Sequence, residues 1–179
     1  MSPRLIVPGL LVTIALTGGC GGERSGARPS VDVTVTRGGG AAVEFPQSVR
    51  AWCGPFDEDN ADVEAVHVMA GKHDLRTRFW QLTAVRSDVE DNPVTTLPNS
   101  FVFTEPRGAA LFAYDNVPRG NELSSAEEES SGRIRVELSG CEPGDTVRLT
   151  FDDVELGSEL HDLPSLSFDG EVAAVVSVE

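Results

Sequence analysis

The side chains best equipped for chemistry lie close together in the first half of the sequence. After Gly54-Pro55 come Asp57, Glu58, Asp59, Asn60, Asp62 and Glu64. Calcium takes about six to eight oxygen ligands, and a loop this rich in carboxylates can supply several, with Asp57, Asp59, Asn60 and Asp62 as the candidates. The spacing is not that of an EF-hand. Counted from Asp57, the fifth place is Ala61, the sixth is Asp62 where Gly is required, and the twelfth is Val68 where Glu is required. A charged loop that keeps a strand edge soluble accounts for the same residues. Just beyond it, His67, Met69 and His73 offer imidazole and thioether, which suit copper or zinc. His67 and Met69, however, fall inside the apolar run Val63 to Ala70, whose alternation explains them without a metal. His161-Asp162 sits between Leu160 and Leu163, where the carboxylate tunes a surface imidazole.

Patterns for covalent catalysis are missing. The sequence holds no Gly-x-Ser-x-Gly, Ser-x-x-Lys, His-Glu-x-x-His, Gly-x-Gly-x-x-Gly or Gly-x-x-x-x-Gly-Lys. A pair of carboxylates for glycoside hydrolysis is defined by separation in space, so a sequence with 29 acids neither offers nor refuses one. The expectation is a noncatalytic protein without a cofactor or a resident metal. The alternative is a calcium- or transition-metal-binding accessory protein, or an envelope enzyme.

Any such residues must be held by strands. Val31, Val33 and Val35 alternate with Asp32, Thr34 and Thr36; Ile134, Val136 and Leu138 with Arg133, Arg135 and Glu137; Val147, Leu149 and Phe151 with Thr146, Arg148 and Thr150. A period of two places apolar side chains on one face of a half-buried strand. Val172, Ala174, Val176 and Val178 continue the pattern, and Val43 to Cys53, Val63 to Met69, Thr77 to Val85, Ser100 to Thr104 and Ala109 to Tyr114 are further strand candidates. Turn residues separate the runs, as in Glu142-Pro143-Gly144-Asp145, which predicts a hairpin between Ile134–Leu138 and Val147–Phe151. No helix of three turns is expected. Phe101, Phe103, Phe112 and Tyr114 read as core, and the adjacent Phe79 and Trp80 as both buried, with one of them as an alternative surface contact. Ser124 to Ser131, SSAEEESS, reads as a solvated, mobile acidic loop. The spacing predicts an all-β fold. Its form is an antiparallel two-sheet β-sandwich, immunoglobulin-like in general plan, with a partly open β-barrel as the alternative.

At the N-terminus, Arg4 precedes twelve uncharged residues, Leu5 to Leu16. As a helix these span about 18 Å, short of the roughly 30 Å of bilayer hydrocarbon, so they read as the apolar part of a signal peptide. The sequence Leu16-Thr17-Gly18-Gly19-Cys20 resembles a bacterial lipobox, with Thr17 where Leu is usual. An ordinary secretory signal is the competing reading. The resemblance implies removal of residues 1–19 and diacylation of Cys20 with palmitate-type chains. It further implies a flexible tether over 20–30 and one β domain over 31–179. Gly21 rather than Asp after the cysteine implies outer-membrane placement in a cell that has one. Two acyl chains at about 0.8 kcal/mol per buried methylene give stable anchoring where one does not.

With Cys20 acylated, Cys53 and Cys141 form an even pair, which in an oxidising compartment most simply makes one disulfide. Two buried thiols or a redox pair are the alternatives. Loss of residues 1–19 removes Arg4 and no acid, so 13 basic residues face 29 acidic ones, a formal charge of −16. Nucleic-acid affinity comes largely from Lys and Arg neutralising phosphates, so this surface excludes nucleic acid as a partner. It is repelled equally by anionic headgroups, and attachment to the lipid bilayer falls to Cys20. The expected partner is an envelope protein or a carbohydrate. The plan of lipobox, polar tether and small β domain with two cysteines is similar to the small β-sandwich lipoprotein antigens of mycobacteria. Cys141 departs from it, because two more candidate strands follow.

Overall fold

The computed structural model describes residues 28–178 apart from 39, 100–105, 117–119, 159 and 161. The expected signal peptide, Cys20, Phe101, Phe103, the Ser100–Thr104 strand and His161 therefore lie outside the described residues. The elements are β1 (Ser30–Arg37), β2 (Ala41–Ala42), β3 (Val49–Pro55), β4 (Glu64–Ala70), β5 (Phe79–Val85), α1 (Arg86–Asp91), β6 (Val94–Thr96), β7 (Ala109–Asp115), β8 (Asn121–Ser124), β9 (Ser131–Leu138), β10 (Thr146–Ser158) and β11 (Leu166–Val175). The fold is all-β, and its one helix among the described residues is a six-residue turn after β5.

Every strand pairing is antiparallel, and the hydrogen-bonded path runs β2-β1-β11-β10-β8-β7-β5-β4-β3, with β9 on β10 and β6 on β9. This one sheet curls strongly into a half-barrel. Its hinge is β10. The first part of β10 lies between β11 and β9, while Gly157 and Ser158 pair with Ser124 and Leu123 of β8. Ahead of that switch the register with β11 and β9 slips past Asp152 and Asp153 and resumes at Val154 to Leu156, and Asp153 takes a left-handed φ of 48°. A bulge of this kind bends the strand and increases its twist, which turns the sheet back over itself.

The expected hairpin is present in the expected register, with Val136 opposite Leu149 and Ile134 opposite Phe151. The run expected from Val43 to Cys53 is divided. β2 stops at Ala42, and β3 begins only at Val49, because Pro46 in between has no N–H to give a ladder. Val43 and Phe45 instead turn inward and fill the mouth of the half-barrel, where Phe45 meets Phe168 at 5.9 Å between ring centroids.

The core is the inward set: Val66, Val68, Trp80, Leu82, Leu111, Leu123, Leu149, Phe151 and Phe168 are essentially inaccessible. Trp80 from β5 meets Phe151 from β10 edge-on at 5.9 Å, so side chains from strands separated on the path by β8 and β7 meet inside the curl. Phe79 and Trp80 are both buried, as expected, but on opposite faces. Phe79 lies outside the sheet beneath His73 and Tyr114. Phe112 and Tyr114 share that outer face, and Phe112 is only half-buried. The expectation of burial holds for Tyr114 and is corrected for Phe112; the inward places of β7 fall to Ala109, Leu111 and Ala113.

The open side of the curl is closed by little. Ala51 of β3 bridges Val176 in parallel, and Ser177 donates to the Ala51 carbonyl from its N–H at 2.9 Å and from its hydroxyl at 3.2 Å. Beside this bridge, Cys53 and Cys141 form a disulfide with their Cα atoms 5.7 Å apart.

The bulge has one strict demand. Gly132 sits at φ 98° with its missing side chain directed at the Asp153 carbonyl, where a Cβ would overlap backbone. Gly132→Ala is expected to lower stability by about 2–4 kcal/mol through strain and displaced backbone. The urea midpoint measures this, and an unchanged midpoint would show that the bulge does not fix the fold.

Candidate functional site

The acidic loop after Pro55 serves its own backbone. Oδ1 of Asp57 accepts from the N–H of Asp59 at 2.9 Å, from the N–H of Asn60 at 2.7 Å and from the Asn60 side chain at 2.9 Å. This is an Asx-type turn, which aspartate makes readily because its short carboxylate reaches the amides two and three residues on. Asp59 and Asp62 are exposed. Among the described residues no three His, Cys, Asp or Glu side chains gather closely enough to hold a metal ion.

His67 and Met69 are outward residues of β4 and are nonetheless buried. Trp52 stacks on His67 at 5.1 Å with an interplanar angle of 12°, and the Arg50 guanidinium lies over the indole at 5.0 Å. Arg50 also reaches the Met69 sulfur at 3.3 Å. The Pro55 carbonyl only accepts, so Nε2 of His67, 3.0 Å away, carries the proton and donates to it. Nδ1 shares a hydrogen bond with the Thr83 hydroxyl at 3.2 Å. The ring is thus held in place between β3 and β5. His73 lies apart, edge-on to Phe79. The three expected metal-type ligands are not brought to one point. Trp52 also faces away from the disulfide that follows it, because neighbours on a strand point to opposite sides.

A second polar assembly has no signal in the sequence. Asp115, at the end of β7, is about 1% exposed and is held by two guanidiniums. Nε and Nη2 of Arg37 from β1 both donate to its Oδ2, the Nε at 2.9 Å, and Nε of Arg78 donates to its Oδ1 at 2.9 Å. Nearby, Asn121 receives the Ser158 hydroxyl and donates to the Pro164 carbonyl at 3.0 Å. These bonds tie the turn after β1, the loops before β5 and after β7, and the segment after β10 into one end of the fold.

The third assembly is the outer face of β1, β11, β10 and β9, which carries shallow surface hollows. Two of them, about 590 and 450 Å³, share Asp169, Gly170 and Glu171. One bank is acidic, with Asp32 directly opposite Glu171 and Asp169 beside them. The other carries Arg133, Arg135 and Arg148. Arg148 reaches Glu171 at 3.6 Å, and Arg133 pairs with Asp152. Neither Asp32 nor Asp169 has an ion-pair partner among the described residues. Gly170 makes the dent, at φ 122°, because its missing Cβ would overlap the Asp32 carbonyl. Fixed carboxylates, guanidiniums and the hydroxyls of Thr34 and Thr150 suit recognition of a polar or charged ligand by hydrogen bonds. The face lacks the aromatic platform on which sugars stack. Sequence alternation assigned these residues to the wet side of their strands. Which of them would be neighbours depends on a register that only the folded sheet fixes.

At the acidic loop, Arg86 bonds Glu90 at 2.9 Å and Glu64 at 2.9 Å. The hydrogen bond and charge of Glu90, seconded by Glu64, raise the pKa of this exposed guanidinium. Expected as a mobile loop, SSAEEESS is pinned at both ends. The Ser125 hydroxyl accepts from the N–H of Leu111 at 3.0 Å, and Ser130 accepts from that of Gly157 at 2.8 Å. Between them, Ala126, Glu128 and Glu129 are exposed.

No protein-family model, no curated protein and no solved structure matches the chain.

Proposed function

We propose that the chain is a bacterial lipoprotein, anchored through acylated Cys20 on the extracytoplasmic side of a membrane. Its β domain then serves as a noncatalytic binding or structural module of the cell envelope. The observation that supports this most is the Cys53–Cys141 disulfide. Such bonds persist in oxidising compartments, which is where a signal peptide ending at Cys20 delivers a chain. The first strand begins at Ser30, so nine residues lie between Cys20 and the folded part. The packing of Trp80 on Phe151 supports treating the two arms of the curled sheet as the layers of a β-sandwich. The two-toned outer face around Gly170 is the surface this reading assigns to an envelope protein or a polar carbohydrate. A formal charge of −16 on the mature chain argues against nucleic acid.

Cys20→Ser is the deciding variant. It is expected to move the protein from the membrane pellet to the soluble extracytoplasmic fraction, and the wild-type mature N-terminus is expected to show the mass of a diacylglycerol on cysteine. Recovery of wild-type protein with an unacylated Cys20 would end the proposal.

A further inference from the structure

The disulfide joins Cys53 of β3 to Cys141 in the turn after β9, two strands that share no ladder. On one side both cysteines pack against the core. On the other they line a hollow of about 260 Å³ together with Pro55, Ala61, Glu64 and Arg86. Both are only half-buried, so the bridge borders space open to solvent. Arg86 brings positive charge to this wall. Its Nε and Nη1 donate to Glu90 and Glu64, each at 2.9 Å, while Nη2 has no hydrogen-bond partner among the described residues. The rim around it is acidic. Asp62, Glu64 and Glu90 border the hollow next to it, which shares Glu64 and Arg86, and Glu142 follows Cys141; all four are exposed.

We infer that Cys53–Cys141 is a thiol–disulfide exchange site, open in the folded protein to a dithiol reductant and selective for one that carries positive charge. A thiolate of the reductant attacks one sulfur of the bridge. A bond to the reductant forms as the S–S bond breaks, and the other cysteine leaves as a thiolate. The reductant's second thiol, once deprotonated, displaces the first cysteine in turn. The reductant ends as a disulfide, and the protein, having taken up two electrons and two protons, holds two thiols. A guanidinium beside the departing sulfur favours its thiolate form, which is the part Arg86 plays. The rim acids repel an incoming anion, so a compensating positive charge on the reductant eases its approach. Acylation of Cys20 plays no part in this chemistry. After exchange, the hydrogen bonds that hold the outer edge of β3 to the β11 end among the described residues are those of Ala51 with Val176 and Ser177. Exchange therefore loosens the open side of the curl and leaves every ladder in place.

The test treats the mature protein with an excess of three dithiols matched in thiolate concentration. Dithiobutylamine carries an ammonium, dithiothreitol is neutral and dimercaptopropanesulfonate is anionic. Alkylation and mass analysis follow the two new thiols with time. At low salt the ammonium reagent is expected to react about fivefold faster than the sulfonate, and about 0.5 M salt should remove the difference. Arg86→Gln should slow dithiothreitol about threefold, the effect of roughly one pKa unit in the leaving thiol, and Arg86→Lys should restore the rate. Ala61→Trp should crowd the hollow and slow all three reagents about tenfold. Attack on the folded protein keeps its rate between about 0 and 1 M urea. A rate that climbs about tenfold or more per molar urea, as the unfolded fraction does, would place the reaction in unfolded chains and overturn the exchange site. Equal rates in Ala61→Trp and wild type would overturn it too, and equal rates with the three dithiols at low salt would overturn the selectivity.

Discussion

Asp115→Asn is expected to lower the midpoint of thermal unfolding by about 10 °C, a loss near 3 kcal/mol. The substitution keeps shape and removes charge, so the guanidiniums of Arg37 and Arg78 lose the anion they share inside the fold. Breaking a buried ion pair by removing one partner costs about 3–5 kcal/mol, because the remaining charge stays desolvated. The lower end applies, since the two arginine side chains are 21% and 25% exposed and recover some hydration. Arg37→Ala or Arg78→Ala should each cost less, because the other guanidinium still faces Asp115. The residues come from β1, the start of β5 and the end of β7, so the loss is one of tertiary structure rather than of any single strand. Thermal melts of the three variants, with the Asp115→Asn/Arg37→Ala double variant, give the coupling directly. A change below about 1 kcal/mol in Asp115→Asn would mean the clamp is decorative.

Much of the sheet was legible from alternation, and the places where it was not have physical causes. In β10 the period of two breaks after Phe151 at two aspartates and resumes at Val154 and Leu156; the strand runs on to Ser158 because a bulge absorbs the extra residue. Alternation also misplaces Phe112, while Tyr114 on the same face is buried. Both faces of β5 and β7 are covered, so aromatic character there does not distinguish inside from outside. The split between β2 and β3 was visible in Pro46 as a missing donor, yet the surrounding apolar residues argued for continuity. The candidate site was least legible. Asp115 meets Arg37 across 78 positions and Arg78 across 37, and no local pattern encodes such a meeting. Asp57, by contrast, uses its carboxylate within its own turn, as its place before Asn60 allows.

Replacing both Cys53 and Cys141 with Ala is expected to remove about 4–5 kcal/mol, or about 10–15 °C of thermal midpoint. The two positions are 88 residues apart. The bridge therefore withholds a large amount of chain entropy from the unfolded state, and long loops gain most from closure. The folded state also depends on it locally. β3 ends the hydrogen-bonded path, and among the described residues its outer edge is joined to the β11 end through hydrogen bonds of Ala51 with Val176 and Ser177. Hydrogen exchange should then show the Ser177 amide, bonded to the Ala51 carbonyl, opening first in the double variant, while the β9–β10 ladder stays protected nearly to global unfolding. Reduction of the wild-type protein should reproduce the same midpoint, since it removes the same constraint. If oxidised and reduced forms melt within about 2 °C of each other, the unfolded chain is already compact around these positions. The half-barrel would then be held shut by Phe45, Trp80 and Phe168 rather than by its staple.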